Sequence, residues 1–384
     1  MESGVPEKKA FALQKELEQV GGEERIFVAS QWQLMWWKFR KHKMAIVGVI
    51  VLMFLYLVTL FWEFLAPYEP HRYDVKFVYA PPQMFRFVDK EGFHLPPYVF
   101  GLKGKRDPET LRMVFELDET QRLPIRFFVH GDPYKLLGLL EADVHLFGLE
   151  SNDQVVFVLG ADRLGRDALS RLLAGTRIST TIGLVGVLVS FVLGILIGGV
   201  SGYYGGVMDT IIQRIIEFIR SMPSIPLWMA LSAAVPKDWS PIRVYFGITV
   251  ILSLIAWTGL ARVVRGRFLS LREEDFVMAA SLAGSSELRI IVRHMVPSFL
   301  SHIIASITLS IPGMILSETS LSFLGLGIRP PAISWGVLLQ EAQNLRSVAF
   351  APWLLIPGMA VVVTVLAFNF LGDGLRDAAD PYAR

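Results

Sequence analysis

The chain has 384 residues, of which 53% are hydrophobic and 19% charged, against roughly 25% charged in ordinary soluble domains. That apolar excess points to a membrane protein, and Lys+Arg 37 against Asp+Glu 35, a net charge of +2, lacks the basic footprint of a nucleic-acid binder. With no cysteine, disulfides, thiolate metal sites, cysteine nucleophiles and cysteine lipidation are excluded.

In chain order, Ala10, Leu13, Leu17 and Val20 recur at helical spacing, which suggests a short amphipathic helix or a disordered segment with a weak helical bias. Trp32, Trp36, Trp37 and Phe39 among basic residues read as an interfacial anchor. Residues 1–43 are therefore expected to be a cytoplasmic tail. Met44 to Trp62 carries no charge and is long enough to cross a ~30 Å hydrocarbon core, giving a first span over 44–65. The run is too long, and too many charges precede it, for a cleaved signal peptide.

Residues 66–177 lie outside the membrane on this reading. Alternation in Leu123–Val129 and Val155–Leu159 predicts strands, hence a β-rich or α+β extracytoplasmic domain over about 70–155. Asp167 is placed as an N-cap, and Leu169, Leu172 and Leu173 form an apolar stripe that Gly175 ends. That pattern predicts a short helix lying on the outer membrane face.

Ile178–Gly202, Val244–Leu260 and Pro352–Leu371 are further charge-free runs, and Pro297–Leu316 is apolar apart from His302 and several hydroxyls. The segment Ile211–Val235 is ambiguous, with Gln213, Arg214, Glu217 and Arg220 before Pro223 and Pro226. Charge asymmetry decides it. Lys38, Arg40, Lys41 and Lys43 put the N-terminus inside, and Arg262, Arg265, Arg267, Arg272, Arg289 and Arg293 put a second loop inside. Both hold only if the ambiguous segment crosses. The expected fold class is thus all-α and polytopic, with six transmembrane helices, both termini cytoplasmic, and an external domain between helices 1 and 2. Residues 178–384 form a five-helix core.

No catalytic or metal-binding constellation is visible. There is no G-x-x-x-x-G-K-[ST], H-E-x-x-H or G-x-S-x-G, and the seven histidines are scattered. Uphill movement would need energy from a partner or from an ion gradient.

The arginine-rich loop 262–297 has helical structure of its own. Asp275 is expected to cap a short helix through Phe276, Val277, Met278, Ala279, Ala280, Ser281, Leu282 and Ala283, with Gly284 as its stop. Ser286 caps the next helix. A helix showing Phe276, Val277, Met278 and Leu282 to the cytoplasm either docks into a groove on another protein or lies on the bilayer surface. Arg265, Arg289, Arg293 and Pro297 flank and support it.

The spacing Ala279-Ala280-x-x-x-Gly284 ahead of Pro297 resembles the EAA loop of binding-protein-dependent ABC importer permeases. Asp162-Arg163-Leu164-Gly165-Arg166-Asp167, Gly202-Tyr203-Tyr204-Gly205-Gly206, and Ser320-Leu321-Ser322-Phe323-Leu324-Gly325-Leu326-Gly327 resemble the dipeptide/oligopeptide branch, C-type subunit. Asn369-Phe370-Leu371-Gly372-Asp373-Gly374 resembles its ending. Together they cover about 30–70 and 160–384. The signature's glutamate position holds Met278. With Asp275 as cap that position is N3, where Glu would complete a capping box.

The resemblance implies a transport subunit rather than an enzyme, in the cytoplasmic (inner) membrane of a prokaryote. Its implied partners are a second homologous permease, two ATPase subunits that hold ATP and Mg, an extracytoplasmic solute-binding protein, and lipid. The chain itself would bind no cofactor and no metal. Implied cargo is peptide, although the branch also carries nickel and oligosaccharides. An ion-coupled secondary transporter is the rival, and would need coupling charges and inverted repeats.

Two further features belong to the spans. Ser190, Gly194, Gly198 and Gly202 recur every four residues, a small-residue face for close helix approach within the bundle or to the partner permease. Glu318 is an acid in the outer part of a span, costly unless paired or wet. It is either a translocation-path group or a structural pair.

Overall fold

A computed structural model describes residues 31–89, 92–109, 113–150, 154–236 and 238–379. The amphipathic stripe Ala10–Val20 lies outside the described residues. Helix α1 (Gln31–Lys41) leads through His42 into α2 (Lys43–Leu65). His42 caps α2 by accepting from Ala45 N at 3.1 Å. At 1.5 Å per residue, the 23 residues of α2 span ~34 Å, enough for the bilayer core.

Among the described residues five strands follow. β1 (Arg86–Asp89), β2 (Gly92–Arg106) and β3 (Met113–Pro124) form one antiparallel sheet, and β4 (Arg126–Leu136) with β5 (Leu140–Gly148) forms a separate hairpin. Val99, Leu123, Ile125, Leu149 and Val156 make their small core. The stretch expected as a strand at 155–159 is not one. Val156 and Phe157 are buried in irregular chain, where Phe157 N donates to Gln83 Oε1 at 2.7 Å. Their apolar alternation reflects burial without a strand partner. His145 clamps the hairpin to the end of α2, contacting Ala66 O at 2.5 Å through Nδ1 and Asp132 O at 2.9 Å through Nε2.

Helix α3 (Ala168–Tyr204) is 37 residues long and continuous. Asp167 caps it, accepting from Ser170 N at 2.7 Å. The expected short surface helix ending at Gly175 is therefore the first turns of a span. Gly175 does not stop the helix; it makes room for Trp335, since a Cβ there would lie 3.2 Å from the indole.

The ambiguous segment is broken. Amphipathic α4 (Gly206–Ser221) and α5 (Ser224–Ala233) have 16 and 10 residues, separated where Met222 is extended ahead of Pro223, as proline demands of its predecessor. Then come α6 (Pro241–Leu271), α7 (Asp275–Leu282), α8 (Leu300–Phe323), α9 (Trp335–Ala342) and α10 (Ile356–Ala379). Among the described residues five helices are long and apolar enough to cross a membrane, α2, α3, α6, α8 and the run Pro352–Ala379. The sixth expected helix is the broken pair.

The small-residue face of α3 packs within this chain, against α6. A Cβ on Gly194 would meet Leu260 at 2.9 Å, one on Gly202 would meet Phe268 Cβ at 2.6 Å, and one on Gly198 would strike the backbone of Ala261. Ser190 Oγ donates to Gly186 O at 2.9 Å, and Ser253 Oγ from α6 reaches the same carbonyl at 2.9 Å. Close approach of backbones substitutes for the hydrophobic drive that lipid removes.

Candidate functional site

Helix α7 sits between α6 and α8 at the end of the bundle away from the strands. Its cap is Glu274 rather than Asp275, and Glu274 makes no side-chain capping bond. Asp275 is the first helical residue, where its charge favours the helix dipole. Met278 is consequently N4, and the capping-box position expected for it belongs to Val277. The C-terminus is a Schellman motif. Ser285 N donates to Ala280 O at 3.1 Å and Gly284 N to Ser281 O at 3.0 Å, with Gly284 at φ +76 as the left-handed residue.

The faces of α7 are unequal. Val277, expected on the outer surface, is 4% exposed and packs with Val264, Phe268, Ile290, Ile291, Met295 and Phe299. Phe276, Met278 and Leu282 are 41%, 47% and 90% exposed. Ala279 and Ala283 are exposed and Ala280 half-buried. One valine thus fixes the helix to the bundle while three large apolar side chains face outward.

The following arm explains the fixing. Ile290–Met295 is a π-helical turn just ahead of Pro297. Widening the turn places Ile290, Ile291 and Met295 on one buried face. Tyr204 donates a short hydrogen bond to Glu287, tying the end of α3 to this arm. Arg289, Arg293 and Pro297 are exposed. Arg265 instead belongs to α6, where its guanidinium grips Asp209 of α4 at 2.5 and 2.6 Å. Glu217 pairs with Arg214 at 2.6 Å.

Glu318 is elsewhere, at the opposite end of α8. It is 0% exposed. It accepts from Ser322 Oγ at 2.7 Å and from Ser179 Oγ of α3 at 3.4 Å. Those hydroxyls accept from the loop after α8 in turn, Ser322 from Ile328 N and Ser179 from Trp335 N, each at 3.0 Å. The carboxylate sits in a hydroxyl cage at the start of α9. A separate cavity of about 220 Å³ lies among α3, α5, α6 and α8, lined by Ser190, Trp228, Leu252, Ser310 and Ser317. Glu318 does not line it.

Sequence reasoning did not anticipate the ion-pair cluster that holds α9. Arg166 bridges Asp162 at 2.7 Å and Glu341 at 2.8 Å, and Arg171 reaches Glu341 at 3.0 Å. The dense Asp/Arg alternation of 162–171 was its only local signal. Asp167 is fully buried beside it, and burial pushes its carboxyl up to about 6.

Residues 191–384 match the family described as binding-protein-dependent transport system inner membrane component, and residues 30–82 match the N-terminal TM domain of oligopeptide transport permease C. This chain is a member of that transport family. It is 34% identical over 357 residues to the dipeptide transport system permease protein DppC of Lactococcus lactis subsp. cremoris, covering 92% of this chain and 91% of that one. It is 41% identical over 226 residues to the oligopeptide transport system permease protein OppC of Haemophilus influenzae, covering 59% of this chain and 70% of that one. Among solved structures, the inward-facing MetNI methionine ABC transporter aligns with TM-score 0.42 at 17% identity, covering 55% of this chain and 96% of that one. The chain is thus a multi-pass inner-membrane permease subunit of an ABC transporter.

Proposed function

We propose that this chain is one permease half of an importer for di- or oligopeptides. A second homologous permease completes the pathway, two cytoplasmic subunits bind ATP and Mg, and an external solute-binding protein delivers cargo. The observation that carries the reading is α7, with Val277 sunk in the bundle while Phe276, Met278 and Leu282 stand in solvent. Burying a Leu side chain is worth roughly 1.5–3 kcal/mol, so three such groups left uncovered on a fixed helix favour a protein groove. Movement of that groove on ATP binding reaches the spans through α7 and the π-turn arm. ATP drives the change only through its different affinity for the two arrangements.

On this reading α4 and α5 together make the sixth crossing, both termini are cytoplasmic, and the strands lie outside. The peptide cargo follows from the likeness to DppC and OppC. An ion-coupled carrier would need intramembrane coupling charges, whereas the acid of α8 is enclosed among hydroxyls. The strand region is proposed to shield or seat the binding protein.

The test is purification of the tagged chain from membranes in mild detergent. The account expects two ATPase chains and a second permease to co-elute, with ATP hydrolysis stimulated by the loaded binding protein. Elution of a chain that transports alone contradicts it.

A further inference from the structure

At the strand-bearing end of the bundle, a second cavity of about 180 Å³ lies between the α5–α6 junction and the loop after α8. His71 Nε2 meets Pro331 O of that loop at 2.7 Å, which fixes the cavity on the side of the strands. Its walls are largely apolar, with Trp239, Pro241 and Pro330. Arg329 lines it, half-buried and with no acidic partner among the described residues. Among the described residues no Asp or Glu lines it. Ser232, also lining it, is 0% exposed and its hydroxyl has no hydrogen-bond partner among the described residues. Buried polar groups are ordinarily paired, so this hydroxyl is an unused hydrogen-bonding group lining the same cavity as a cation that has no acidic partner among the described residues.

We infer that this cavity is a subsite for the terminal carboxylate of the transported peptide. A guanidinium binds a carboxylate through charge-assisted, often bidentate hydrogen bonds, and the Trp and Pro walls receive the last side chain. A protonated amino terminus finds only a cation there and is repelled. The volume decides between a whole ligand and one end of it. Sites that engulf a small molecule run to ~300–1,000 Å³, so this one takes a single terminal residue. The peptide enters carboxyl end first. This inference rests on the peptide reading above and adds a polarity and a residue to it.

The absence of cysteine supplies the test. Ala332, also in the wall, is changed to Cys in the assembled complex in lipid nanodiscs, and its alkylation by N-ethylmaleimide is followed by mass spectrometry of this chain. Tri-alanine is expected to slow alkylation at about tenfold lower concentration than tri-alanine amide, the discrimination of one charge-assisted hydrogen bond. Arg329→Gln should abolish the difference, and Arg329→Lys should retain part of it, which guards against a loop merely disturbed by the glutamine. Equal protection by acid and amide, or protection indifferent to Arg329, overturns the subsite. Uptake of tri-alanine by the reconstituted complex is measured in parallel. Uptake without protection removes the subsite and leaves the peptide reading. Protection without uptake of any peptide removes the peptide reading and leaves a carboxylate site.

Discussion

A carboxylate held among hydroxyls behaves differently from one that waits for cargo. Glu318 gives Ser322 and Ser179 an acceptor, and those hydroxyls then receive Ile328 N and Trp335 N. Removing the acceptor loosens both ends of the loop between α8 and α9. Leaving a buried hydrogen-bonding group unsatisfied costs roughly 1–3 kcal/mol, so Glu318→Leu, which strips the acceptor from two hydroxyls, should destabilise the chain by about 2–4 kcal/mol, read as a lower Tm and less assembled complex. Transport per assembled complex should fall much less, and a fully assembled but silent complex would contradict the cage. Asp167 sets a pH dependence at the same end. Its carboxyl is raised by burial from 3.8 to about 6, so the folded state holds the proton more tightly than the unfolded chain. Below pH 4 both states are protonated and there is no penalty. As pH rises from about 4 to 6 the unfolded state ionises first and stability falls; above about 6 the full cost is present. Thermal unfolding of the solubilised complex across that window should show this slope, and Asp167→Asn, which still caps α3, should flatten it.

For the helices, the division of labour lies between fixed and exposed faces. Val277 holds α7 to α6 and the π-turn arm, while Leu282 is 90% exposed and is assigned to the proposed partner groove. Leu282→Asp places a charge in an apolar groove and should uncouple the complex. Transport should drop at least about tenfold, the cost of one buried unpaired polar group, while the chain keeps its Tm and its second permease. Unchanged transport-coupled ATPase would refute this. Val277→Ala acts from the other face, removing buried methyls at a cost of about 1–3 kcal/mol, and should lower Tm as well as coupling. On α3, Gly198 lies against the Ala261 backbone with no space for a Cβ. Gly198→Leu should separate α3 from α6, destabilise by more than about 3 kcal/mol, and reduce the chain recovered from membranes. Normal recovery would show that the two helices do not pack as described.

At the scale of the molecule, the apolar runs were legible because lipid demands uninterrupted hydrocarbon, but their ends were not. Glu63 and Arg177 pair at 2.9 Å and let α2 and α3 extend past the charge-free limits. Gly175 read as a stop because nothing local reveals Trp335 packed on it. The cluster of Arg166 and Arg171 with Glu341 was illegible for the same reason, since its acid comes from a helix far along the chain. Helix α7 is legible as a short helix stopped by Gly284, although its cap is Glu274 and the buried side of Val277 depends on residues of α6 and the π-turn. Periodicity over eight residues does not show which face a distant helix covers.

The central claim is that α7 meets an ATP-driven partner. The measurement that tests it is crosslinking from a single cysteine, Leu282→Cys, in this otherwise cysteine-free chain. With a short thiol-to-amine reagent, the account predicts one product joining this chain to an ATPase subunit, changing in yield when ATP is added. Labelling of that cysteine from the outer face of sealed cells, or full transport with no such product, would contradict it.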